Sequence, residues 1–241
     1  MKASIGKVRA LVFDTFGSVV DWRGSIIRDL SAWGNAHQIQ ADWVGLADQW
    51  RGLYQPQMQK VRSGERPWVN LDDLHRESLE MLIPHFGLSH LNESQRDHVN
   101  RVWHRLDAWP DSIAGMSRLK SKYIIGSLSN GNVSLLTNMA KYAGLPWDII
   151  LSSEWFHCYK PLPESYAKAC QILNLKPDEV MMCAAHNDDL AAARKVGLKT
   201  AFWPRSTEYG PEQSKDLSAE DDWDIVAEDI RDLADQLLAQ P

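Results

Sequence analysis

Short apolar runs alternate with helical patterns along most of the chain. The apolar runs have the length of buried strands. They are "VRALVF" at 8–13, "YIIGSLS" at 123–129, "DIILSS" at 148–153, "VMMCAA" at 180–185 and "TAFWP" at 200–204. Helical patterns such as "SLLTNMAKYAG" and "DLAAARKVG" lie between them, and each closes on a glycine suited to a helix C-terminus. Buried strands that alternate with helices predict an α/β fold with a parallel sheet.

A long interval, residues 21–107, separates the first two predicted strands and carries no comparable apolar run. Amphipathic helical stretches fill it: "GSIIRDLSAWGNAHQ", "ADWVGLADQWRGLYQPQMQKVRSG", "LDDLHRESLEMLIPHFG" and "NESQRDHVNRVWHRL". Because ordinary crossovers are much shorter, we predict a helical cap over 21–107, inserted into a core domain formed by 1–20 and 108–241. The tail "SAEDDWDIVAEDIRDLADQLLAQ" predicts a loop followed by a surface helix.

The composition is that of an ordinary globular protein, with 44% hydrophobic and 24% charged residues in a chain of 241. A net charge of -6 without a dense Lys or Arg run gives no argument for a nucleic-acid partner. The chain also lacks an apolar stretch of the roughly 20 residues that a membrane span needs, and its start lacks a signal-peptide pattern. We therefore expect a cytoplasmic protein that does not bind membranes.

Cysteine and tryptophan usage add little specific chemistry. The three cysteines, Cys158, Cys170 and Cys183, form no CxxC pair, which argues against a disulfide framework and against a zinc site. We expect them to be small, partly buried hydrophobic residues. Most of the 11 tryptophans are expected to pack in the core or the cap, with a minority lining a pocket.

Polar residues follow the predicted strands at several strand ends. They are Asp14, the pair Ser129 and Asn130, Lys160, and His186 with Asp188 and Asp189. Taken singly, each has a structural interpretation: a helix cap, a turn, a solvated lysine or a hydrogen-bonded histidine. In open α/β sheets, however, ligands bind beyond the carboxyl ends of the strands. The order and placement of these residues together therefore predict one site.

Four ordered segments carry a family resemblance: "FDTFGSVVDW", "LSNGN", "YKPLPESY" and "AAHNDDLAAARKVGLKTAFWPRSTEYGP". With these segments the chain resembles the haloacid dehalogenase superfamily, and within it the type II, L-2-haloacid dehalogenase group. The resemblance implies a Rossmann-like core with an inserted helical cap and a small 2-haloacid as substrate. It implies neither a cofactor nor a metal, and it allows a homodimer. The implied reaction converts an (S)-2-haloacid and water into an (R)-2-hydroxyacid and halide.

In this resemblance Asp14 is the nucleophile. Its carboxylate would displace halide from C2 of the substrate, and water would then cleave the resulting ester at the Asp14 carbonyl. Lys160 would keep Asp14 ionised, since burial alone would raise the pKa of the carboxyl. The turn at Gly17 and Ser18 would bring backbone donors close to it. Ser129 and Asn130 match the positions that hold the substrate carboxylate and the ester carbonyl.

The remaining matches concern the surroundings of the nucleophile. Arg51, in "WRGLY", matches a cap arginine that contacts the halide or the substrate, although a surface helix residue is the alternative interpretation. Tyr166 would help to organise the carboxyl group and the lysine, although packing in the first turn of a helix opened by Pro163 could also explain it. Asp189 would orient the lysine and the hydrolytic water. The other predicted substrate-binding or halide-binding residues are Thr15, Phe16, Ser18, His186 and Asn187.

The fourth segment departs from the family pattern Ser-x-Asn-x-x-Asp. Aligned on Asp189, His186 replaces the asparagine, Ala184 replaces the serine and Asp188 replaces an apolar residue. Ser18 similarly stands where threonine is commoner. A histidine here could donate to a leaving halide, position water or serve only as scaffold. Since fluoride gains most from donors aimed at its developing charge, we hypothesise that fluoroacetate is turned over.

Two other functions compete with dehalogenation. A phosphatase of the same superfamily resembles "DxD" at the first segment, where the second Asp protonates the leaving alcohol, whereas this chain has Phe16. The pair Asp188 and Asp189 keeps a metal-binding interpretation open for that alternative. A non-catalytic binding module is the third interpretation. It is disfavoured because Asp14, Ser129 and Lys160 are all present.

Overall fold

The computed structural model describes residues 5–239. Its centre is a six-stranded sheet with the order β3-β2-β1-β4-β5-β6, in which every neighbouring pair is parallel. The strands are β1 (Ala10–Phe13), β2 (Ile124–Ser129), β3 (Ile149–Ser152), β4 (Val180–Ala184), β5 (Lys199–Phe202) and β6 (Ile225–Val226). All five predicted strands and the α/β fold class are confirmed.

Helices cover both faces of the sheet. They are α1 (Trp22–His37), α2 (Trp43–Arg62), α3 (Leu71–Leu82), α4 (Glu93–Asn100), α5 (Ser112–Leu119), α6 (Val133–Ala143), α7 (Ser153–Phe156), α8 (Pro163–Leu173), α9 (Asn187–Val196) and α10 (Ile230–Leu238), with 3₁₀ turns at Arg101–His104 and Pro177–Glu179. Successive residues of β1 face opposite sides, as strand geometry requires: Leu11 and Phe13 join one buried cluster, and Ala10 and Val12 join the other. The core is therefore three-layered.

The interval between β1 and β2 is helical, as predicted. It contains α1 to α4 and the 3₁₀ turn at Arg101–His104, and no strand occurs there. Asp21 and Asp42 cap α1 and α2 by accepting hydrogen bonds from Gly24 and Gly45. Buried tryptophans of this interval belong to the same hydrophobic cluster as Phe13 and Phe16. The division into a cap at 21–107 and a core domain stays a prediction, and residues 1–4 and 240–241 of that core domain lie outside the described residues.

The C-terminal region differs from its prediction. Residues 225–226 form the edge strand β6, which pairs with Ala201 and Phe202, and a strand of two residues gives too little pattern to be detected. The helix that follows, α10, is the predicted surface helix: it buries Ile230, Leu233, Ala234 and Leu237 on one face and exposes Arg231 and Asp235. Within residues 5–239, no helix is long and apolar enough to cross a bilayer.

Candidate active site

Asp14 lies directly beyond the carboxyl end of β1, a central strand with β2 and β4 as neighbours. Its backbone N–H donates to the Cys183 carbonyl of β4 at 3.0 Å, which fixes the residue at the carboxyl end of the sheet. The Ser18 hydroxyl donates to Asp14 Oδ2 at 2.7 Å and in turn accepts the Ala185 N–H at 2.9 Å. The turn therefore contributes a side-chain hydroxyl donor to Asp14, and the backbone donors expected from it stay a prediction. The Gly17 N–H is used within the turn, where it donates to the Val20 carbonyl.

Lys160 forms ion pairs with two carboxylates at the carboxyl end of the sheet. Its Nζ donates to Asp14 Oδ1 at 3.0 Å and forms a short ion pair with Asp189, and the residue is only 5% exposed. Burial alone would raise the pKa of Asp14, but the charge of Lys160 and the contacts with His186 and Ser18 outweigh it and hold that pKa well below its usual range. Asp14 is therefore an ionised carboxylate in a buried position, as a nucleophile must be.

Asp189 occupies the first turn of α9. The Tyr166 hydroxyl donates to its Oδ1 at 2.5 Å, and α8, which begins at Pro163 as predicted, carries that tyrosine in its first turn. Burial raises the pKa of Asp189, and the nearby charge of Asp14 adds to the rise, while Lys160 opposes it. Burial and the two carboxylates also raise the pKa of Tyr166, so its hydroxyl stays protonated and remains a donor.

His186, at the N-cap of α9, lies between two carboxylates. Its Nδ1 is 3.0 Å from Asp14 Oδ2, and its Nε2 is 2.8 Å from Glu208 Oε2. Burial lowers the pKa of the imidazole, but the charges of Glu208 and Asp14 and the bonds to them raise it well above its usual range. The ring is thus an imidazolium that donates from both nitrogens. Since both donors are occupied in this arrangement, neither points at a halide, contrary to one predicted role.

Glu208 is not among the predicted site residues, although it is central to the site. Its side chain is 1% exposed and accepts a hydrogen bond from Trp22 Nε1 at 3.0 Å. Burial opposes its ionisation, but His186 and Arg51 lower the pKa of Glu208 nonetheless. Gly17, at φ 88°, makes room for it, because a Cβ there would lie 2.1 Å from Glu208 Oε1. The signal that could have found Glu208 is its position in the loop beyond the carboxyl end of β5.

Arg51 reaches the site from α2. Its guanidinium lies over the ring of Tyr54, with Cζ 4.2 Å from the centroid, and one amino group is 3.9 Å from Glu208 Oε1. The other amino group, NH1, is buried without a hydrogen-bond partner among the described residues. The structure thus brings this predicted arginine to the site rather than to a solvated helix face, and it leaves a charged donor free for an anion.

A cavity of about 300 Å³ opens beyond the carboxyl ends of the strands. Its walls come from the end of β1, from α2, from the start of α9 and from the loop between β5 and β6. The lining residues are Asp14, Phe16, Arg51, Tyr54, Gln55, Asn130, Lys160, Pro161, His186, Asn187, Asp188, Asp189, Tyr209, Lys215, Asp216 and Glu220. This volume, at the small end of ligand pockets, suits a compact anionic molecule.

Two predicted binding residues are buried behind this lining. The Ser129 hydroxyl accepts the Gly131 N–H at 3.3 Å, and the Thr15 hydroxyl is buried without a hydrogen-bond partner among residues 5–239. Neither side chain is part of the cavity wall. Asn130 does line the cavity, but its Oδ1 accepts the backbone N–H of Lys160 at 2.8 Å, which positions the lysine.

Asn187 lines the cavity, yet its amide is fully used elsewhere. Oδ1 accepts from Trp223 Nε1 and the Glu220 N–H, and Nδ2 donates to Asp216 and to the Ser218 carbonyl. These four bonds exhaust the ordinary hydrogen-bonding capacity of the amide. The prediction that Asn187 binds substrate or halide is therefore not supported, and the residue instead organises the loop between β5 and β6.

The phosphatase alternative included a metal-binding interpretation of Asp188 and Asp189. Within residues 5–239, no group of three or more His, Cys, Asp or Glu side chains is arranged to hold a metal ion. Asp189 is engaged by Lys160 and Tyr166, and Asp188 accepts the backbone N–H of Asp189. Phe16, two residues after Asp14, packs edge-on against Tyr54 and Trp103.

Comparisons with known proteins agree on one family. A family model for haloacid dehalogenase-like hydrolases matches residues 8–197. A solved structure of an L-2-haloacid dehalogenase is 51% identical, with a TM-score of 0.94 over 96% of this chain and 99% of that chain. A defluorinating L-2-haloacid dehalogenase is 49% identical, with a TM-score of 0.93 over 96% of each chain. The (S)-2-haloacid dehalogenase 4A of Burkholderia cepacia is 27% identical over 234 residues, 94% of this chain and 98% of that protein.

Proposed function

Because the chain belongs to the haloacid dehalogenase-like hydrolases, we propose that it hydrolyses short (S)-2-haloacids to (R)-2-hydroxyacids and halide. The observation that carries this proposal is Asp14, a buried carboxylate that Lys160 keeps ionised at the floor of a small cavity. An ionised carboxylate with little water around it is a competent nucleophile for displacement at carbon. The relatives named above support the same chemistry.

In the first step a carboxylate oxygen of Asp14 attacks C2 of the substrate. The C2–halogen bond breaks, the halide leaves with the bonding electrons, and an ester joins C2 to Asp14. Arg51 supports this step, since its free NH1 is available to the substrate carboxylate or to the departing anion. Phe16 and Tyr54 provide an apolar wall for the halogenated carbon.

In the second step water attacks the Asp14 carbonyl carbon and releases the hydroxyacid. Ester formation removes the Asp14 charge, which is one cause of the raised pKa of His186. The imidazolium can then lose its Nδ1 proton to solvent, accept a proton from the attacking water and pass it to the hydroxyacid oxygen as the bond from that oxygen to the Asp14 carbonyl carbon breaks. The new Asp14 carboxyl group gives its proton to His186, which restores the carboxylate and the imidazolium. Glu208, bonded to Nε2 at 2.8 Å, orients the ring for this transfer. Lys160 and Asp189 hold the regenerated carboxylate in place.

A single turnover in heavy-oxygen water tests the proposal. Excess enzyme reacts with 2-chloropropionate, and mass spectrometry measures the mass of the peptide that contains Asp14. If the ester forms, the first turnover places the heavy oxygen in Asp14, because water attacks the enzyme carbonyl and not C2. Heavy oxygen that appears only in the hydroxyacid would contradict the covalent route.

The phosphatase alternative is not supported. A phosphatase of this superfamily would use an acidic residue two positions after Asp14 to protonate the leaving alkoxide, and that position holds Phe16, which is 2% exposed. A halide ion needs no proton to depart. The relatives compared above are likewise described as dehalogenases.

We extend the proposal to fluoroacetate as a substrate. One relative at 49% identity is described as defluorinating, and the cavity here is compact, with a free arginine donor at its wall. Fluoride release from fluoroacetate, compared with chloride release from chloroacetate, measures this directly. Assays with both 2-chloropropionate enantiomers test the proposed preference for the (S) form.

A cytoplasmic location and a homodimer also stay predictions. Fractionation of the native cell and sedimentation of the purified chain test them separately from activity.

A further inference from the structure

The loop between β5 and β6 forms the side of the cavity that faces α2. It contributes Lys215, Asp216 and Glu220 to the cavity wall. Its first half is held at Glu208, which bonds to His186 and Trp22. Its second half is held by a different residue, Asn187, which follows His186 at the start of α9.

Asn187 contacts this second half at four places. Its amide bonds to Asp216, the Ser218 carbonyl, the Glu220 N–H and Trp223. Asp216 completes the attachment, because its Oδ1 also accepts the backbone N–H of Asn187 at 2.9 Å. Asp216 adopts φ 56°, a left-handed conformation that is uncommon outside glycine, that Asn, Asp and His tolerate best, and that local hydrogen bonds support. The attachment to Asn187 supplies that support.

The anchored loop carries a cation to the mouth of the cavity. Lys215, next to Asp216, is exposed and places its Nζ 4.2 Å from the ring centroid of Tyr209. Gln213 reinforces this shape, since it accepts the Tyr209 N–H and donates to the Lys215 carbonyl, each at 3.0 Å. Lys215 is, with Arg51 and Lys160, a cation of the cavity wall, which also carries the carboxylates of Asp188, Asp216 and Glu220. Its positive charge favours a bound anion.

We infer that Asn187 is a positioning residue for substrate capture, acting through the loop that places Lys215 at the cavity mouth. The inference rests on the proposed function for its substrate class, a small carboxylate anion. It assigns Asn187 no contact with the reacting atoms. Loss of the Asn187 amide should therefore weaken anion binding while the chemistry at Asp14 continues.

The first test compares Asn187→Ala with the wild type by two measurements that need no turnover. Hydrogen exchange should accelerate in the peptides that cover residues 211–220, because the anchored amides open more often. The Kd for propionate, an unreactive analogue, should rise about threefold at low salt, the scale expected for losing one exposed charge attraction. Asn92→Ala, which removes an amide of the α4 capping box, is the control and should change neither value.

A double-mutant cycle tests the route through Lys215. Lys215→Gln should raise the propionate Kd as much as Asn187→Ala does, and the double variant should be no weaker than either single variant. Additive effects, or unchanged exchange at 211–220 in Asn187→Ala, would overturn the inference. Restoration of the propionate Kd in the pair Asn187→Asp with Asp216→Asn, where donor and acceptor exchange places, would support it. Halide release by the wild type reports on the proposed function separately, since neither measurement above depends on it.

Discussion

His186 bridges Asp14 and Glu208, with Nδ1 3.0 Å from the first carboxylate and Nε2 2.8 Å from the second. The proposed nucleophile is therefore in contact with two cations, Lys160 on one oxygen and His186 on the other. Each cation is held in turn by a second carboxylate, Asp189 or Glu208. Asp14 is thus kept ionised from both sides, and its charge adds to that of Glu208 in raising the pKa of His186.

Replacement of Asp14 should prevent formation of the proposed ester. Asp14→Asn is expected to lower halide release from chloroacetate by about 10⁴-fold or more, the scale seen when an enzyme loses its nucleophile. The amide cannot form the ester, although it nearly preserves the volume of the side chain. Asp178→Asn, at an exposed surface position, serves as control and should retain full activity. Substantial halide release by Asp14→Asn would contradict the nucleophile assignment.

Replacement of His186 should slow ester hydrolysis rather than halide departure. Both ring nitrogens contact carboxylates, so His186→Asn is expected to lower turnover of chloroacetate and fluoroacetate by a similar factor, on the order of 10². The ester should accumulate, and intact-protein mass spectrometry would detect it. Glu208→Gln should also lower the turnover of both substrates and let the ester accumulate. A loss confined to fluoroacetate would instead assign His186 to fluoride departure.

The buried His75 should make stability depend on pH. Burial lowers the pKa of His75 to about 3, below its ordinary value of 6.5, and its ring stacks on Trp103 with centroids 4.2 Å apart. Because the unfolded chain binds the proton more readily, this contribution to stability is complete above pH 6.5. It is lost as the pH falls toward 3, with a slope of up to about 1.4 kcal/mol per pH unit.

Denaturant unfolding between pH 7 and 4 measures that slope. His75→Phe, which keeps an aromatic ring beside Trp103, should lose part of the acid destabilisation. The exposed His85→Gln serves as control and should follow the wild type. Equal slopes in all three proteins would show that His75 does not titrate in this way.

Metal removal should leave the activity intact. Lys160 already supplies a positive charge 3.0 Å from Asp14, and the proposed reaction needs no proton on its leaving group. Halide release should therefore be unchanged after exhaustive treatment with a chelator. A requirement for added magnesium would restore the phosphatase alternative to consideration.

Local patterns predicted most of the architecture. The strands before Asp14 and His186 are apolar runs, and helices α6 and α9 end at Gly144 and Gly197 in the left-handed conformation that glycine permits. The rule that ligands bind at strand ends then brought Asp14, Lys160 and Asp189 together correctly. These features depend on residues that are close in sequence, or on a general property of parallel sheets.

Features built from distant residues were missed. Glu208 contacts Trp22 across 186 positions of sequence, and its irregular loop carries no periodicity that would mark it as buried. Asn187 was predicted to bind substrate or halide, whereas its amide bonds reach as far as Trp223. Hydrogen-bond saturation by a folded loop is a property of tertiary structure, and the local sequence does not reveal it.

The close approach of Gly17 to Glu208 predicts how related sequences must vary. A side chain at 17 and a carboxylate at 208 compete for one volume, since a Cβ would lie within 2.1 Å of Oε1 and 2.6 Å of Oε2. Relatives that use a buried glutamate here should therefore have glycine at the position of Gly17. Those with a larger residue at 17 should have a smaller one at 208 and should have lost the histidine at 186 as well. The three positions form a covarying set by which genomes can be searched for this version of the site.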